Sequence, residues 1–305
     1  MTRTLRIGTR GSPLAVIQAE AVGNALMRAH AELSVAYRVV RTSGDRIQDR
    51  PLAEVGGKGL FTKEIEQGLL DGTIDIAVHS MKDVETFLPD GLCIAAMLPR
   101  EDPLDALLSK GGARLDALPH GARIGTSSIR RQAQLLHRRP DLRIVPFRGN
   151  VETRLRKLEG GEAEATLLAA AGLKRLGRLG IITELLDPET ILPAAGQGAI
   201  GIEVRAADGA MRSLLAAIDH PETTACVGAE RTMLAALDGS CRTPIGALAT
   251  LDAAGATLTL HGLVARPDGT ELHRRTQRAP LRDSAAMAAA LGAELRSLMG
   301  EGFFQ

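Results

Sequence analysis

The chain has no tryptophan, one tyrosine and five phenylalanines among its 305 residues. An aromatic cage for a cation and a stacking platform for nucleobases each need several rings in one place, so the scarcity of rings argues against both kinds of site. The charge is also nearly balanced, with 37 Lys and Arg against 36 Asp and Glu. A globally basic surface is therefore missing, and we expect no nucleic-acid partner.

Long apolar segments are missing as well. No run of 18 apolar residues occurs, which predicts that no helix spans a membrane. The first residues, MTRTLRIGTRG, lack the apolar region of a secretory signal. The sequence also has no long apolar stripe of the kind that would indicate an interface with a partner subunit. We expect a soluble, cytoplasmic monomer without a membrane partner.

The three cysteines form no CxxC pair and no cluster with histidine, so neither a disulfide framework nor a metal site is predicted. Cys93 and Cys226 lie in apolar patterns and are expected in the core. Cys241 lies in a turn, GSCRTP, beside Arg242, whose charge favours a thiolate. Because no histidine is nearby to act as its base, a covalent attachment point suits Cys241 better than a hydrolytic nucleophile.

Short apolar runs alternate with amphipathic helical patterns over the first two thirds of the chain, which is typical of an α/β architecture. From about Pro221 the pattern changes to a helix, three strands and an Ala-rich closing helix, which predicts a separate small α+β domain. In the first part, strands are predicted at Leu5–Gly8, Val35–Val40, Ile74–Val78, Leu92–Met97, Ala122–Gly125, Arg143–Pro146, Ala165–Leu168 and Ala199–Val204.

An internal repeat suggests two related lobes. Residues 6–9 (RIGT) recur at 123–126, and each copy leads from a strand through a Gly- or Ser-containing turn into a helix. Chance similarity is the alternative, because four-residue matches are common in Gly-rich chains. If the lobes are related, each presents a helix N-terminus at the carboxyl end of a strand, where backbone N–H groups bind anions.

The cations concentrate in one segment. Ten Lys and Arg but only two acids lie between residues 123 and 157, a local excess of eight positive charges. Arg130 and Arg131 begin a predicted helix, where a cation opposes the helix dipole, so we expect an anion there. A solvated basic surface is the alternative reading, and it suits Arg138, Arg139 and Arg156 better than the arginines at strand ends.

Two further segments are candidates for chemistry. Asp83 follows Lys82 where the apolar strand Ile76–Val78 gives way to polar residues, and active sites of α/β proteins collect at such strand ends. A carboxylate there can act as a general acid or simply cap a helix. Lys58 lies in the Gly-rich run VGGKG, which lacks the ending of a phosphate-binding P-loop and is either a mobile loop over a site or a plain turn.

Taken together, these residues resemble one family, hydroxymethylbilane synthase (porphobilinogen deaminase). The matching motifs keep the family's order over nearly the whole chain: RIGTRGSPL (6–14), GGKGLF (56–61), AVHSMKDV (77–84), PREDP (99–103), GTSSIRRQ (125–132), FRGN (147–150), AAGLKRL (170–176), PAAGQGAIGIE (193–203) and GSCRTPIG (239–246). Any one motif alone is weak, whereas the ordered set is specific.

The resemblance implies an α/β fold with two lobes, similar to type II periplasmic binding proteins, around a cleft, and a small C-terminal α+β domain. The expected domains are 1–98 together with 199–216, 104–192, and 221–305. The implied activity is a transferase reaction of haem biosynthesis that condenses four porphobilinogen molecules into hydroxymethylbilane and releases ammonia. A non-enzymatic, two-lobed polyanion-binding protein is the alternative.

The resemblance also implies roles for individual residues. A dipyrromethane cofactor, made from porphobilinogen, would be held by a thioether to Cys241, and Asp83 would be the catalytic acid. The carboxylates of cofactor and substrate would be bound by Arg10, Ser12, Lys58, Ser80, Lys82, Thr126, Ser127, Ser128, Arg130, Arg131, Arg148, Arg154, Arg175 and Gln197.

The sequence departs from the family at two positions near these residues. Glu85 replaces a proline that is common in the family, which we expect to loosen the turn after Asp83. Glu54 stands where some members have a second lysine, which leaves Lys58 alone in its loop.

Overall fold

A computed structural model describes residues 3–40, 42, 62–240 and 243–304 of the chain. Two five-stranded sheets and one three-stranded sheet form the framework of this part. Helices pack against each sheet, so the mixed α/β class predicted from the alternating pattern is confirmed. In the described part of the chain, none of the helices has the length and apolarity that a bilayer crossing requires.

The first lobe is built around a sheet whose strands, in spatial order, are β2 (Leu33–Val40), β1 (Arg3–Arg10), β3 (Ile76–Ser80), β10 (Ile200–Arg205) and β4 (Leu92–Met97). Its helices are α1 (Pro13–Ala29), α2 (Lys63–Leu70) and α6 (Gly209–Ala216). Leu5, Ile7 and Ile76 are fully buried between this sheet and α1. Ser12 caps α1 by accepting a hydrogen bond from the Ala15 N–H at 3.3 Å, and Pro13 begins the helix, as the sequence predicts.

The second lobe repeats this arrangement. Its sheet runs in the order β7 (Arg143–Val145), β6 (Arg123–Gly125), β8 (Ala165–Ala169), β5 (Asp105–Ser109) and β9 (Glu184–Leu186). Its helices are α3 (Ile129–Arg138), α4 (Val151–Glu159) and α5 (Ala170–Arg175). Ser128 caps α3 through the Arg131 N–H, and Asn150 caps α4 through the Thr153 N–H.

The two sheets have the same strand order and the same antiparallel strand. In each, the first three strands are parallel and the fourth, β10 or β5, runs against them. The chain enters β5 after it crosses into the second lobe at residues 98–104, and it enters β10 after it crosses back at 192–199. The two related lobes predicted from the internal repeat are therefore confirmed.

Equivalent contacts accompany the repeat. In the first lobe Arg6 forms an ion pair with Asp75 at 2.8 Å, and in the second Arg123 forms one with Glu164 at 2.7 Å. The glycine of each RIGT copy leaves room for a neighbouring side chain. A Cβ at Gly125 would overlap the buried ring of Phe147.

The C-terminal unit is an antiparallel sheet of β11 (Ile245–Leu251), β12 (Thr257–Ala265) and β13 (Leu272–Pro280), covered by α7 (Pro221–Ala236) and α8 (Ser284–Ser297). Met233, Leu258, Leu260 and Leu291 are fully buried in its core. This is the small α+β unit that the sequence predicts from Pro221 onward. Cys226 is buried here, and Cys93 on β4 is half-buried, so both cysteines pack against core residues as expected.

Two short strands, β5 and β9, are missing from the strands predicted from the sequence. They have five and three residues, too few for a clear hydrophobic period. The omission of β5 matters for function, because its first residue, Asp105, is completely buried beside the predicted arginines.

We expect Gly125→Ala to lower the free energy of unfolding by about 1–3 kcal/mol, because the added methyl group must displace the tightly packed Phe147 ring. Urea denaturation measures the change. Gly180→Ala is the matched control, since a Cβ at Gly180 has no atom within 4 Å. Equal stability of the two variants would contradict the packing argument.

Candidate active site

Asp83 lies at the carboxyl end of β3, on a single 3₁₀ turn formed by residues 81–83. The turn follows the central strand of the first lobe, as the sequence pattern predicts. The Asp83 side chain is 39% exposed, and its Oδ2 lies 4.0 Å from Nη1 of Arg10, the last residue of β1. Asp83 also acts electrostatically on Arg154 of the second lobe, so the acid faces both lobes.

Lys82, beside Asp83, points toward the crossover between the lobes. Its Nζ donates to Oε1 of Gln197 at 3.4 Å. The pKa of Lys82 is lowered to about 8, chiefly by burial and also by the charges of Arg131 and Arg130, whereas Asp83 and Asp105 oppose the shift. Lys82 is thus held in a cationic environment where an added carboxylate is favourable.

Arg130 and Arg131 meet a carboxylate that belongs to the protein itself. Asp105, the first residue of β5, pairs with Arg130 Nη2 at 2.8 Å and with Arg131 Nη2 at 2.6 Å. Burial alone would raise the pKa of Asp105, but the two guanidinium groups hold it well below its usual range. The anion that the sequence analysis expects at the start of α3 is therefore present as a side chain.

Gln197 connects this ion pair to the first lobe. Its Nε2 donates to Asp105 Oδ1 at 3.0 Å and to the carbonyl of Pro103 at 2.6 Å, while its Oε1 accepts from Lys82. One amide therefore joins both crossovers to the residue beside Asp83. The structure places Gln197 between Lys82 and Asp105, and its predicted role near the substrate stays a prediction.

Arg154 interacts electrostatically with Asp83, Arg131 and Arg148. Among the described residues, neither Arg148 nor Arg154 forms an ion pair with a carboxylate. Arg148 Nη1 is buried and has no hydrogen-bond partner among the residues that the structure describes. Arg154 Nε donates to the Gly149 carbonyl at 3.0 Å. The pKa of Arg154 is lowered to about 10, chiefly by burial and also by the charges of Arg131 and Arg148, whereas Asp83 opposes the shift. Arg154 therefore remains charged at neutral pH and is repelled by the two neighbouring arginines.

Arg175, at the end of α5, forms its hydrogen bond with the crossover at 192–199 and not with Asp83. Its Nη2 donates to the Gly198 carbonyl at 2.7 Å. Burial lowers the pKa of its guanidinium, an effect that Glu101 opposes. Its role in holding carboxylates stays a prediction.

The predicted hydroxyl groups are partly used for local structure. Ser12 and Ser128 cap helices α1 and α3, and Thr126 Oγ1 accepts from the Ser128 N–H at 3.1 Å. Ser80 donates to Oε1 of Gln18 at 3.0 Å. Ser127 is exposed and precedes the α3 cap. These residues place two helix N-termini directly after strands β1 and β6, where backbone N–H groups favour an anion.

Two predicted residues, Lys58 and Cys241, lie outside the described residues, as does Glu54. The chain on either side of Cys241 is described, however. The Ser240 N–H donates to Thr243 Oγ1 at 3.0 Å, and the Thr243 N–H donates to the Ser240 carbonyl at 3.1 Å. The roles of Lys58 and Cys241 stay predictions.

Sequence reasoning misses Asp105, the residue that organises the buried cations. The signal was present in the run LDALLS, which follows Pro103 and has the apolar character of a short buried strand. An aspartate at the start of such a strand, 25 residues before an Arg-Arg pair, does not by itself identify an ion pair.

We expect Asp105→Asn to lower the free energy of unfolding by about 3–5 kcal/mol, because it leaves two buried guanidinium groups without their counter-charge. Since the pKa of Asp105 is depressed, this contribution is present at neutral pH and is lost only in strong acid. Asp116→Asn removes an exposed partner of Arg138 and serves as the control, with an expected change below about 1 kcal/mol. Equal losses in chemical denaturation would contradict the assignment.

Two solved structures with distant similarity to this chain come from periplasmic proteins. The periplasmic VFT2 domain of Bordetella pertussis BvgS is 15% identical, with a TM-score of 0.44 over 72% of this chain and 90% of that one. An arginine-specific periplasmic binding protein of Salmonella typhimurium is 18% identical, with a TM-score of 0.42 over 73% of this chain and 96% of that one.

Sequence comparison gives a closer relationship. The porphobilinogen deaminase of Nitrobacter winogradskyi is 54% identical to this chain, over 98% of this chain and 94% of its own length. The porphobilinogen deaminase of Paracoccus denitrificans is 53% identical, over 98% of this chain and 96% of its own length. The family model "Porphobilinogen deaminase, dipyromethane cofactor binding domain" matches residues 5–213, and the model "Porphobilinogen deaminase, C-terminal domain" matches residues 224–299. The chain therefore belongs to the porphobilinogen deaminase family.

Proposed function

We propose that this chain performs the hydroxymethylbilane synthase reaction of its family with Asp83 as the catalytic acid and Cys241 as the anchor of a dipyrromethane cofactor. Four porphobilinogen molecules are joined in succession with loss of ammonia, and hydrolysis then releases the linear tetrapyrrole hydroxymethylbilane. One observation carries the assignment of the acid: Asp83 is a partly exposed carboxylate among cations of both lobes.

The described residues suit a cofactor that carries several carboxylates. Arg148 Nη1 is buried without a hydrogen-bond partner among them, and such an atom is costly unless an acceptor is supplied. Lys82 and Arg154 have pKa values lowered by burial and by neighbouring cations, so a bound anion stabilises both. The acetate and propionate groups of dipyrromethane supply such anions.

We assign these cations to binding and orientation. Arg148, Arg154 and Lys82 hold carboxylates near Asp83, and Arg10 stands on the other side of the acid. Dipyrromethane, when bound, supplies the pyrrole carbon to which the first porphobilinogen is joined. The remaining predicted ligands support the same pocket from helix ends and strand ends: Ser12, Lys58, Ser80, Thr126, Ser127, Ser128, Arg130, Arg131, Arg175 and Gln197.

Asp83 acts on the aminomethyl group of the substrate. Its carboxyl group gives a proton to the nitrogen, the carbon–nitrogen bond breaks with both electrons going to nitrogen, and ammonia leaves. The resulting carboxylate accepts a hydrogen bond from the pyrrole N–H and offsets the positive charge that develops on the ring. Partial exposure of Asp83 leaves one side open to the substrate.

We further propose three domains: 1–98 with 199–216, 104–192, and 221–305. Each segment contains one of the three sheets and its own buried apolar cluster, which supports this division.

We also propose a cytoplasmic monomer that binds neither nucleic acid nor membranes. The free thiols of Cys93 and Cys226 suit a reducing compartment. Light scattering after gel filtration tests the monomer.

The alternative, a non-enzymatic polyanion-binding protein, is not favoured. It leaves Asp83 and Cys241 without a role, and the relatives that match almost the whole chain are named as deaminases.

We expect Asp83→Asn to reduce kcat by about 10²–10⁴-fold, because the amide cannot donate a proton as an acid or stabilise a cation as a carboxylate does. The rate of hydroxymethylbilane formation measures the loss, and circular dichroism verifies the fold. Asp90→Asn, on the same connecting segment, is the control and should turn over normally. Near-normal turnover by the Asp83 variant would remove this residue from the mechanism.

We expect Cys241→Ser to abolish covalent attachment, so that its intact mass equals the mass of the substituted polypeptide alone, whereas the unsubstituted protein is heavier than its 32.2 kDa chain by one dipyrromethane. Intact-protein mass spectrometry and the colour reaction with Ehrlich's reagent measure the bound pyrroles. Cys93→Ser is the control and should keep the added mass. A Cys241→Ser protein that still carries the pyrroles would move the anchor to another residue.

A further inference from the structure

The segment that follows Asp83 is held by the C-terminal domain. Arg231 on α7 reaches it through its guanidinium group, whose Nη2 donates to the Glu85 carbonyl at 2.7 Å and to the Thr86 carbonyl at 3.2 Å. Its Nη1 donates to the Val84 carbonyl at 3.3 Å. One side chain therefore binds three successive carbonyls directly after the acid.

These contacts bear on the substitution of proline by Glu85. We expected the change to loosen the turn after Asp83, because proline restricts the backbone. Arg231 binds backbone oxygens, which any residue at position 85 provides. The restraint on this turn thus comes from another domain and does not depend on proline.

In a second contact, the segment after Asp83 supplies the hydrogen-bond donor and the C-terminal domain supplies the acceptor. Thr86 Oγ1 donates to the Gly239 carbonyl at 2.6 Å. Gly239 is buried and tightly surrounded, since a Cβ there would lie 2.5 Å from Ile245 Cδ1 and 2.6 Å from Leu234 Cδ1. The acceptor of the Thr86 hydroxyl is therefore a fixed point of the C-terminal domain.

Gly239 comes shortly before Cys241 in the sequence. The described residues on the two sides of positions 241–242 are joined to each other, because Thr243 Oγ1 donates to the Ser240 carbonyl at 2.8 Å. Thr86 is three positions after Asp83 along the chain, and Cys241 is two positions after Gly239. A single hydrogen bond thus closes a short path between the acid and the anchor.

We propose that Thr86 and Arg231 are positioning residues that fix the Asp83 turn to the C-terminal domain, at Gly239 just ahead of Cys241 in the sequence. This inference rests on the roles proposed above for Asp83 and Cys241. Reacting groups must approach to about 3–3.5 Å with the correct orientation, and small displacements are costly in rate. The Thr86–Gly239 bond and the Arg231 contacts keep the acid in register with the pyrroles attached at Cys241.

The test uses the holoenzyme and a matched set of variants. Thr86→Val keeps the shape of the side chain but removes its donor, whereas Thr86→Ser keeps the donor. Thr232→Val is the control, because the Thr232 hydroxyl bonds only within α7, to the Gly228 carbonyl at 2.9 Å. Arg231→Gln provides a second, independent removal of the coupling.

We expect Thr86→Val to lower kcat about tenfold, the factor that corresponds to one lost hydrogen bond, with KM for porphobilinogen and Tm nearly unchanged. Arg231→Gln should change kcat in the same direction. Thr86→Ser should restore the rate, and Thr232→Val should keep it. In hydrogen–deuterium exchange, peptides covering 84–88 and 238–245 should exchange faster in Thr86→Val, with the cofactor mass intact.

Three results would overturn the coupling: a Thr86→Val holoenzyme within twofold of normal kcat, unchanged exchange in both peptides, or failure of Thr86→Ser to restore the rate. If Thr86→Val does not fold, Arg231→Gln is judged by the same kcat and exchange criteria. Failure of the proposed function is distinguishable, because the unsubstituted protein would then carry no pyrrole at Cys241. That outcome removes the pair to be positioned and also overturns the inference.

Discussion

The buried carboxylate of Asp105 is the interaction on which the centre of this molecule depends. It pairs with Arg130 and Arg131 and accepts a hydrogen bond from Gln197, which in turn accepts one from Lys82. Asp105 ends one crossover between the lobes, and Gln197 lies in the other. A single anion therefore joins the second lobe, both crossovers and the residue beside the proposed acid.

This ion pair divides the cations of the cleft into two groups. Arg130 and Arg131 have a counter-charge within the protein, so their burial is compensated. Lys82, Arg148 and Arg154 are cations near Asp83 for which the described contacts provide no full neutralisation, and burial lowers the pKa of Lys82 and Arg154. Part of the local excess of positive charge thus stabilises the protein internally, and we propose that the rest attracts the carboxylates of the substrate.

The sequence predicts the lobes well, because a strand, a turn and a capped helix leave a local pattern that recurs at residues 6–9 and 123–126. It also predicts the place of Asp83, since the apolar strand before it ends visibly. It does not predict the ion pairs of Asp105, nor the hydrogen bonds from Arg231 to the turn after Asp83. Those contacts join residues 26 and about 146 positions apart, and only the packed chain brings them together.

A crystal structure of the holoenzyme is the most direct test of this account. We predict a pyrrole carboxylate oxygen within hydrogen-bond distance of Arg148 Nη1, while Asp105 keeps its ion pairs with Arg130 and Arg131. Arg148 without a carboxylate contact, or Arg130 and Arg131 both withdrawn from Asp105 to hold the pyrroles, would contradict the division of the cations into an internal and a ligand-binding group.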